Sequence, residues 1–347
     1  MNKNLLNRLP MPEGMSKSEI IQVLLSEEYG FLPGPPEKVS AKEESAEEQF
    51  CAGKAVLKKL LLTCRAEYGD FTFPVYFIYP TKREKPVPCF VHINFRDLIP
   101  DRYLPIEEII DSGYAVLYFC YQDVTSDDGD FTNGLAGLIY PEGKRTKTQC
   151  GKIGLWAWAA GRVMDHAMTV PILNHGKISI VGHSRLGKTA LLAGALDERF
   201  YCAFSNDSGC SGAAISREKR GETIQRIFQV FPYWFCENYG KYAENVEELP
   251  FDQHFLLAAN APHRVYVASA SEDSWADPEH EYLSCVAADQ YYKSCGLKGF
   301  VHPDRDPVPG DFFGEGEIGY HLRAGTHYLS REDWQRYIQY LNLADGN

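Results

Sequence analysis

Hydrophobic and polar positions divide the chain into an opening segment, a strand-rich region and a longer region of alternating strands and helices. In the opening segment, apolar residues recur at helical spacing over 20–25, and Ser18 is predicted to cap that helix. The Pro-Gly-Pro-Pro run at 33–36 should end it, and the acidic stretch 42–48 is predicted to be a solvated connector. Residues 1–48 are therefore expected to form a helical extension and a linker.

Three runs with apolar residues at alternating positions follow, and they are typical of β-strands. The runs are KAVLKKLLLTCRA at 54–66, FTFPVYFIYP at 71–80 and VPCFVHINF at 87–95. Gly69-Asp70 separates the first two, and a charged segment at 80–86 that contains proline separates the last two. Because short connections of this kind join neighbouring antiparallel strands, the region is predicted to be an antiparallel meander.

Farther along the chain, almost continuous apolar strands alternate with helical patterns. Strands are predicted at 114–121, 177–181, 201–205 and 264–270, and helices near 105–112, 151–168, 187–196, 222–236 and 281–294. A long loop is expected at 122–148, and Ser330 with Asp333 predicts the start of a last helix. Strands buried on both faces have continuous apolar sequences, so we expect a mostly parallel central sheet with helices on both faces and antiparallel strands at its N-terminal side.

The overall charge limits the partners that the protein can bind. Of its 347 residues, 44% are hydrophobic and 24% are charged, and the formal net charge is −12. Nucleic acids and anionic membranes attract clustered Lys and Arg side chains, so neither is expected as a partner.

The N-terminus and the cysteines indicate the cellular compartment. Residues 1–19 hold no apolar stretch of the length that a signal peptide needs, and no run of about eighteen apolar residues occurs. The ten cysteines are scattered without paired spacing, several of them within apolar strand or helix patterns. We therefore expect a cytoplasmic protein with reduced cysteines, without a disulfide framework or a metal site.

The run ISIVGHSRLGKT at 178–189 satisfies two different sequence patterns. Gly182, four residues and then Gly187-Lys188-Thr189 have the spacing of a phosphate-binding loop, whose backbone N–H groups hold phosphates. Gly182-His183-Ser184 after an apolar strand is also typical of a nucleophile elbow, a sharp turn that exposes a serine hydroxyl between a strand and a helix. The first pattern predicts nucleotide binding, and the second predicts nucleophilic catalysis.

The position of this run in the chain favours the nucleophile elbow. A phosphate-binding loop usually follows an early strand, but this run begins after about half the chain. In an α/β-hydrolase, the serine lies in the middle of the sheet and is followed by an acid and then a histidine. Asp207 and Asp273 lie near later strand ends, and His327 lies in a loop of small residues before the last helix. We therefore expect residues 49–347 to form an α/β-hydrolase domain, with nucleotide binding, or saccharide binding without turnover, as alternatives.

Several segments, taken in order over about 145–345, match the pattern of one enzyme family. GHSRLGK at 182–188 is similar to a Gly-Cys-Ser-Arg-x-Gly-Lys signature, with His183 in place of the cysteine. Further matching segments are WAWAAGRVMD at 156–165, SNDSGCSGAA at 205–214, GETIQ at 221–225, LPFDQHFLLAANAP at 249–262 and Asp273-Ser274-Trp275. In these segments the chain resembles the glucuronoyl esterases of carbohydrate esterase family 15.

This resemblance implies a serine carboxylesterase that cleaves a small carbohydrate ester. Ser184 would be the nucleophile, His327 would be the base that takes its proton, and Arg185 would stabilise the oxyanion. The resemblance also assigns sugar contacts to Lys188, Gln225 and Trp275. This chemistry requires no cofactor, and no cluster of residues has the spacing of metal ligands.

Two points stay open at this level. Asp273 follows the penultimate strand, and Asp207 lies at the position of the acid in fungal members, so either could orient the histidine; Asp273 is slightly favoured. Residues 231–234, Phe-Pro-Tyr-Trp, stand where well-studied members carry a sugar-binding glutamate. That departure favours a divergent bacterial branch, so an acetylxylan or other O-acetyl sugar esterase is the second candidate after a 4-O-methyl-glucuronoyl esterase. His183, next to the serine, is expected to be a packed residue.

Overall fold

A computed structural model describes residues 1–346 and contains one mixed β-sheet of ten strands. In chain order these are β1 (Lys38–Phe50), β2 (Ala55–Ala66), β3 (Gly69–Pro80), β4 (Val87–Asn94), β5 (Ala115–Cys120), β6 (Leu173–His183), β7 (Cys202–Asn206), β8 (Arg264–Ala270), β9 (Phe312–Phe313) and β10 (Ile318–Arg323). Across the sheet they lie in the order β1-β2-β3-β5-β4-β6-β7-β8-β10-β9. From β5 to β10 neighbouring strands are parallel, and the pairs outside this block are antiparallel. The predicted mostly parallel sheet with antiparallel N-terminal strands is confirmed.

Helices cover both faces of the sheet, as predicted. They are α1 (Lys3–Leu6), α2 (Lys17–Leu24), α3 (Ile106–Asp111), α4 (Gly134–Ile139), α5 (Lys152–Ala167), α6 (Arg185–Leu196), α7 (Ile224–Val230), α8 (His254–Ala258), α9 (Pro278–Ser294) and α10 (Arg331–Ala344). One core cluster joins α3 and α10 to the sheet, and a larger one contains buried side chains of α2, α5, α6 and α9. Within residues 1–346, no helix combines the length and the apolar composition needed to span a bilayer.

The predicted meander is wrong in its last strand. β3 pairs antiparallel with β5, and β4 lies on the far side of β5 and runs parallel to it. Helix α3 makes the connection between β4 and β5, and such a crossover places consecutive strands parallel to each other. Nearly every residue of β4 is buried, which is typical of a strand covered on both faces.

The acidic stretch 42–48 is part of a strand and not the predicted connector. It lies within β1, which pairs with β2 from Lys38 opposite Arg65 to Phe50 opposite Ala55. β1 is the exposed edge of the sheet, where charged side chains prevent pairing with other chains. The expected boundary after residue 48 therefore falls inside a strand. The extension is also packed on the domain, because buried residues of α2 belong to the larger core cluster.

Two helix predictions also need correction. α2 is capped by Ser16, which forms a capping box with Glu19, and not by Ser18. The helix predicted over 222–236 is shorter, because α7 ends at Val230 and a 3-10 turn follows at Pro232–Trp234. All ten cysteines are free, and all but Cys51 and Cys295 are buried.

Candidate active site

Loops at the carboxyl edge of the parallel strands converge on a cavity of about 220 Å³. Its lining includes Ser184 after β6, Asp207 after β7, Trp275 after β8 and His327 after β10. In open α/β sheets, the carboxyl ends of the strands are where ligands bind. The fold thus brings together side chains that are far apart in the sequence.

Ser184 lies on a tight turn between β6 and α6, with φ 57° and ψ −127°. A positive φ is costly for a residue with a side chain, and it persists only where the surrounding structure holds it. A Cβ atom at Gly182 would lie 1.9 Å from the carbonyl oxygen of Leu186, so only glycine allows this close approach. The backbone N–H of Ser184 also donates to the carbonyl of Asn206 at 2.8 Å. This geometry is that of a nucleophile elbow.

His327 is oriented by Asp273. Its Nδ1 atom lies 2.6 Å from Oδ2 of Asp273, and its side chain is 41% exposed at the cavity. Burial of Asp273 opposes its ionisation, but the hydrogen bond and the charge of His327 hold the pKa of that carboxyl below its usual value. An ionised Asp273 at Nδ1 leaves Nε2 of His327 free to accept a proton.

His183 packs beneath this histidine, as predicted. The two ring centroids are 4.5 Å apart, and Nδ1 of His183 lies 2.6 Å from Oδ1 of Asn206. Burial and the proximity of His327 lower the pKa of His183 to about 3. His183 therefore stays neutral and contributes packing, not charge.

Asp207, the second candidate acid, has a different partner. Its Oδ2 accepts from the guanidinium of Arg323 at 3.2 Å and from the backbone N–H of Tyr328 at 3.3 Å. Asp207, Asp273 and His327 nevertheless have potential metal-ligand atoms within 4.8 Å of one another. Among the described residues, they are the one group of three whose spacing could hold a metal ion. Arg323 is buried and also pairs with Asp333 in α10. Asp207 therefore connects the loop after β7 to the loop that carries the histidine.

Arg185 and Lys188 bring two cations to the cavity, as the sequence predicted. The guanidinium of Arg185 pairs with Asp127, and its Nε atom is buried without a hydrogen-bond partner in the described part of the chain. The Nζ atom of Lys188 donates to the carbonyl of Ser208 and lies 3.9 Å from Oε2 of Glu222. Burial lowers the pKa of Lys188, and the charge of Glu222 opposes that shift.

These contacts do not favour the phosphate-binding alternative. Lys188 is buried against Ser208, and the hydroxyl of Thr189 donates to the carbonyl of Arg185 at 3.0 Å. The space beside Gly182 is filled by the backbone of α6 and is not an open nest for phosphate. The groups that would hold a phosphate and its magnesium ion are thus engaged within the protein.

Of the two remaining predicted sugar contacts, Trp275 lies at the cavity and Gln225 does not. Trp275 lines the cavity and is 50% exposed, so part of its indole is accessible there. Gln225 lies outside this cavity, in a neighbouring one, and its side chain donates to Oε1 of Glu244 at 3.0 Å. In its place the cavity contains Glu222, three residues earlier in the same segment.

Glu222 and the aromatic wall of the cavity were not predicted from the sequence. Phe231 and Trp234 line it, and their rings stack with centroids 3.9 Å apart. The run Phe-Pro-Tyr-Trp at 231–234 was the available signal, since the resemblance expected a polar sugar-binding residue there. Asp127 had no signal of its own, because it lies in the segment 122–148, which was predicted only as a long loop.

Comparisons with known proteins identify the family of this chain. Residues 62–296 match the model of a family described as glucuronyl esterase of fungi. The carbohydrate esterase MZ0003 of an unknown prokaryotic organism is 41% identical over 68% of this chain and 54% of its own length. The 4-O-methyl-glucuronoyl methylesterase 1 of Wolfiporia cocos is 26% identical over 82% of this chain and 69% of its own. The chain thus spans about half the length of the first of these relatives.

Solved structures extend the similarity to almost the whole chain. A glucuronoyl esterase from Solibacter usitatus superposes with a TM-score of 0.87 at 29% identity, covering 95% of this chain and 92% of that one. A promiscuous CE15 esterase from a marine bacterial metagenome gives a TM-score of 0.84 at 30% identity, covering 95% and 91% of the two chains. The predicted α/β-hydrolase fold is confirmed.

Proposed function

The chain belongs to the glucuronyl esterase family, and we propose that it is a serine carboxylesterase that hydrolyses esters of glucuronic acid or its 4-O-methyl derivative. The main support for this proposal is that Ser184, the His327–Asp273 pair and Arg185 lie together at one cavity. Each supplies a group that ester hydrolysis needs: a nucleophile, an oriented base and a donor for negative charge. The names of the relatives support the choice of acyl group.

In the proposed reaction, His327 Nε2 takes the proton of Ser184 while the serine Oγ attacks the carbonyl carbon of the ester. Negative charge develops on the carbonyl oxygen, beside Arg185 at the start of α6, where backbone N–H groups have no partner within the helix. His327 then protonates the leaving alcohol. Water, activated by the same histidine, attacks the acyl-enzyme and releases the uronic acid and the free serine. Asp273 holds the imidazole in the required tautomer throughout.

The sugar would bind in the polar part of the cavity. Glu222 and Lys188 lie side by side there, so an acceptor and a donor face the same space. Sugar hydroxyls need such pairs because each hydroxyl both donates and accepts. Trp275 offers the apolar face of a sugar ring an accessible aromatic surface.

A hydrolysis panel tests the proposal. Methyl glucuronate, benzyl glucuronate and acetylated xylo-oligosaccharides are compared at equal concentration, with Ser184→Ala as the matched inactive control. The proposal expects turnover of the two glucuronate esters that the control lacks. Faster release of acetate would instead support the O-acetyl sugar esterase. If a fluorophosphonate probe labels neither protein, nucleophilic catalysis by Ser184 is rejected.

A further inference from the structure

We propose that Asp127 is a positioning residue that fixes the Arg185 guanidinium beside the reacting carbonyl, an inference that rests on the proposed function. Asp127 lies in the loop after β5 and is not part of the elbow, of the histidine–acid pair or of the predicted sugar contacts. It touches the reaction only through Arg185. Several contacts, on both its side chain and its loop, support this role.

The Asp127 carboxylate accepts three hydrogen bonds from side chains. Oδ2 accepts from Nη1 of Arg185 and, at 2.9 Å, from the hydroxyl of Tyr121. Oδ1 accepts from the indole Nε1 of Trp234 at 2.6 Å. The side chain is only 6% exposed. A buried carboxylate with three donors has a single stable orientation, and it therefore fixes the guanidinium that it binds.

The faces of the guanidinium are held as well. Its Cζ atom lies 4.7 Å from the ring centroid of Trp234, 5.6 Å from that of Phe231 and 5.7 Å from that of Phe95. Nη1 of Arg185 donates a hydrogen bond to Asp127, while Nε of Arg185 is buried and has no hydrogen-bond partner among residues 1–346. A buried donor without an acceptor is costly in the resting protein. The side chain of Arg185 is 27% exposed and lines the cavity, so its accessible part can stabilise negative charge as that charge develops on the carbonyl oxygen.

The loop that carries Asp127 is itself anchored. Nζ of Lys152, buried at the start of α5, donates to the hydroxyl of Thr125 at 2.8 Å and to the carbonyl of Asp130 at 2.6 Å. On the other side, the hydroxyl of Tyr233 donates to the carbonyl of Asp127 at 3.2 Å. The aromatic run at 231–234 thus holds the same aspartate through both its main chain and its side chain. Donors that are fixed before the reaction stabilise developing charge without reorganisation, which is the condition for effective catalysis.

Asp127→Asn tests the inference, because it keeps the shape of the side chain and removes the charge that binds the guanidinium. We expect kcat to fall about 10- to 100-fold, as a small misplacement of a catalytic group can do, while KM changes little. Asp128→Asn is the matched control: it removes the same charge from the adjacent, exposed position, whose Oδ1 accepts from Ser126 and Asp130. It should leave kcat close to that of the wild type.

A double-mutant cycle separates positioning from a merely structural role. Arg185→Ala should lower kcat by about 10²- to 10³-fold, and adding Asp127→Asn to it should have almost no further effect. Additive losses would overturn the inference, as would an Asp127→Asn protein with unchanged kcat. If Asp127→Asn does not fold, Trp234→Phe, which removes the Nε1 donor, is used in the same cycle and should show the same non-additivity.

The double-mutant cycle is measured with both methyl glucuronate and 4-nitrophenyl acetate. The two substrates distinguish a failure of the proposed glucuronate esterase function from a failure of the proposed role of Asp127. Turnover of the activated acetate alone would contradict the proposed glucuronate substrate, and the cycle would still measure coupling between Asp127 and Arg185. Normal glucuronate turnover with additive losses would contradict only the role of Asp127.

Discussion

The Nδ1 atom of His327 lies 2.6 Å from Oδ2 of Asp273. Asp207, the other candidate acid, instead accepts from Arg323 at 3.2 Å. Both carboxylates lie at ends of parallel strands, but only Asp273 has the geometry to select the tautomer of the histidine. The two acids therefore have separate roles: replacing Asp273 should lower activity, and replacing Asp207 should lower stability.

Asp273→Asn should lower kcat by about 10³- to 10⁴-fold, because the histidine loses the carboxylate that orients it and stabilises its charged form. Initial rates on methyl glucuronate measure the loss. Asp207→Asn should retain most of the activity and instead lower the melting temperature, because Arg323 loses one of its two buried carboxylate partners. Equal losses of kcat in two folded variants would contradict this division of roles.

The elbow makes a second prediction, which concerns glycine in β6. Gly182→Ala places a Cβ atom 1.9 Å from the carbonyl oxygen of Leu186, so the turn or the start of α6 must move. We expect a lower melting temperature and much slower labelling of Ser184 by a fluorophosphonate. Gly176→Ala is the control in the same strand, since its nearest neighbour is a flexible side-chain atom at 3.6 Å. The steric argument fails if the two variants behave alike.

Local sequence patterns predicted the residues that we propose for the catalytic steps. Ser184 follows a strand and precedes a helix, and Asp273 follows the next to last of the central strands, so each position depends on neighbours in the chain. Glu222 and Asp127 could not be found in this way. Each lies in irregular chain, and its place at the site depends on contacts with residues that are distant in sequence: Lys188 for Glu222, and Arg185 for Asp127.

The fold shows the same limit. Most strands that alternate or are continuously apolar were recognised. β1 was not, because its charged residues show no buried face, and no strand was predicted at β9 or β10. The position of β4 in the sheet could not be predicted from its sequence either. β4 pairs with β5 and not with β3, and this pairing depends on the path of α3. The periodicity of apolar residues indicates which side chains are buried, but it does not indicate which strand pairs with which neighbour in the sheet.

Glu222 is the subject of a third prediction. Glu222→Gln should raise KM for methyl glucuronate, because the cavity loses a charged acceptor for sugar hydroxyls and Lys188 loses its neighbour. Hydrolysis of 4-nitrophenyl acetate, which has no sugar, should change little. Glu244→Gln, at the partner of Gln225 outside the cavity, is the control and should leave both substrates unaffected. Equal changes on both substrates would show that Glu222 does not contact sugar.

The last prediction concerns Glu28, which is fully buried at the end of the opening helical segment and accepts from Nε2 of Gln253 at 3.2 Å. Burial raises its pKa from 4.5 to about 8. Between those values the folded protein holds a proton that the unfolded chain has released, so stability falls as the pH rises through this range. Glu28→Gln cannot ionise and should raise the melting temperature at pH 8 by at least about 2 °C, with an advantage that shrinks towards pH 5. Differential scanning calorimetry across this range measures it, with the exposed Glu13→Gln as the charge-matched control; an advantage for Glu28→Gln that is independent of pH would mean that ionisation of Glu28 does not set this dependence.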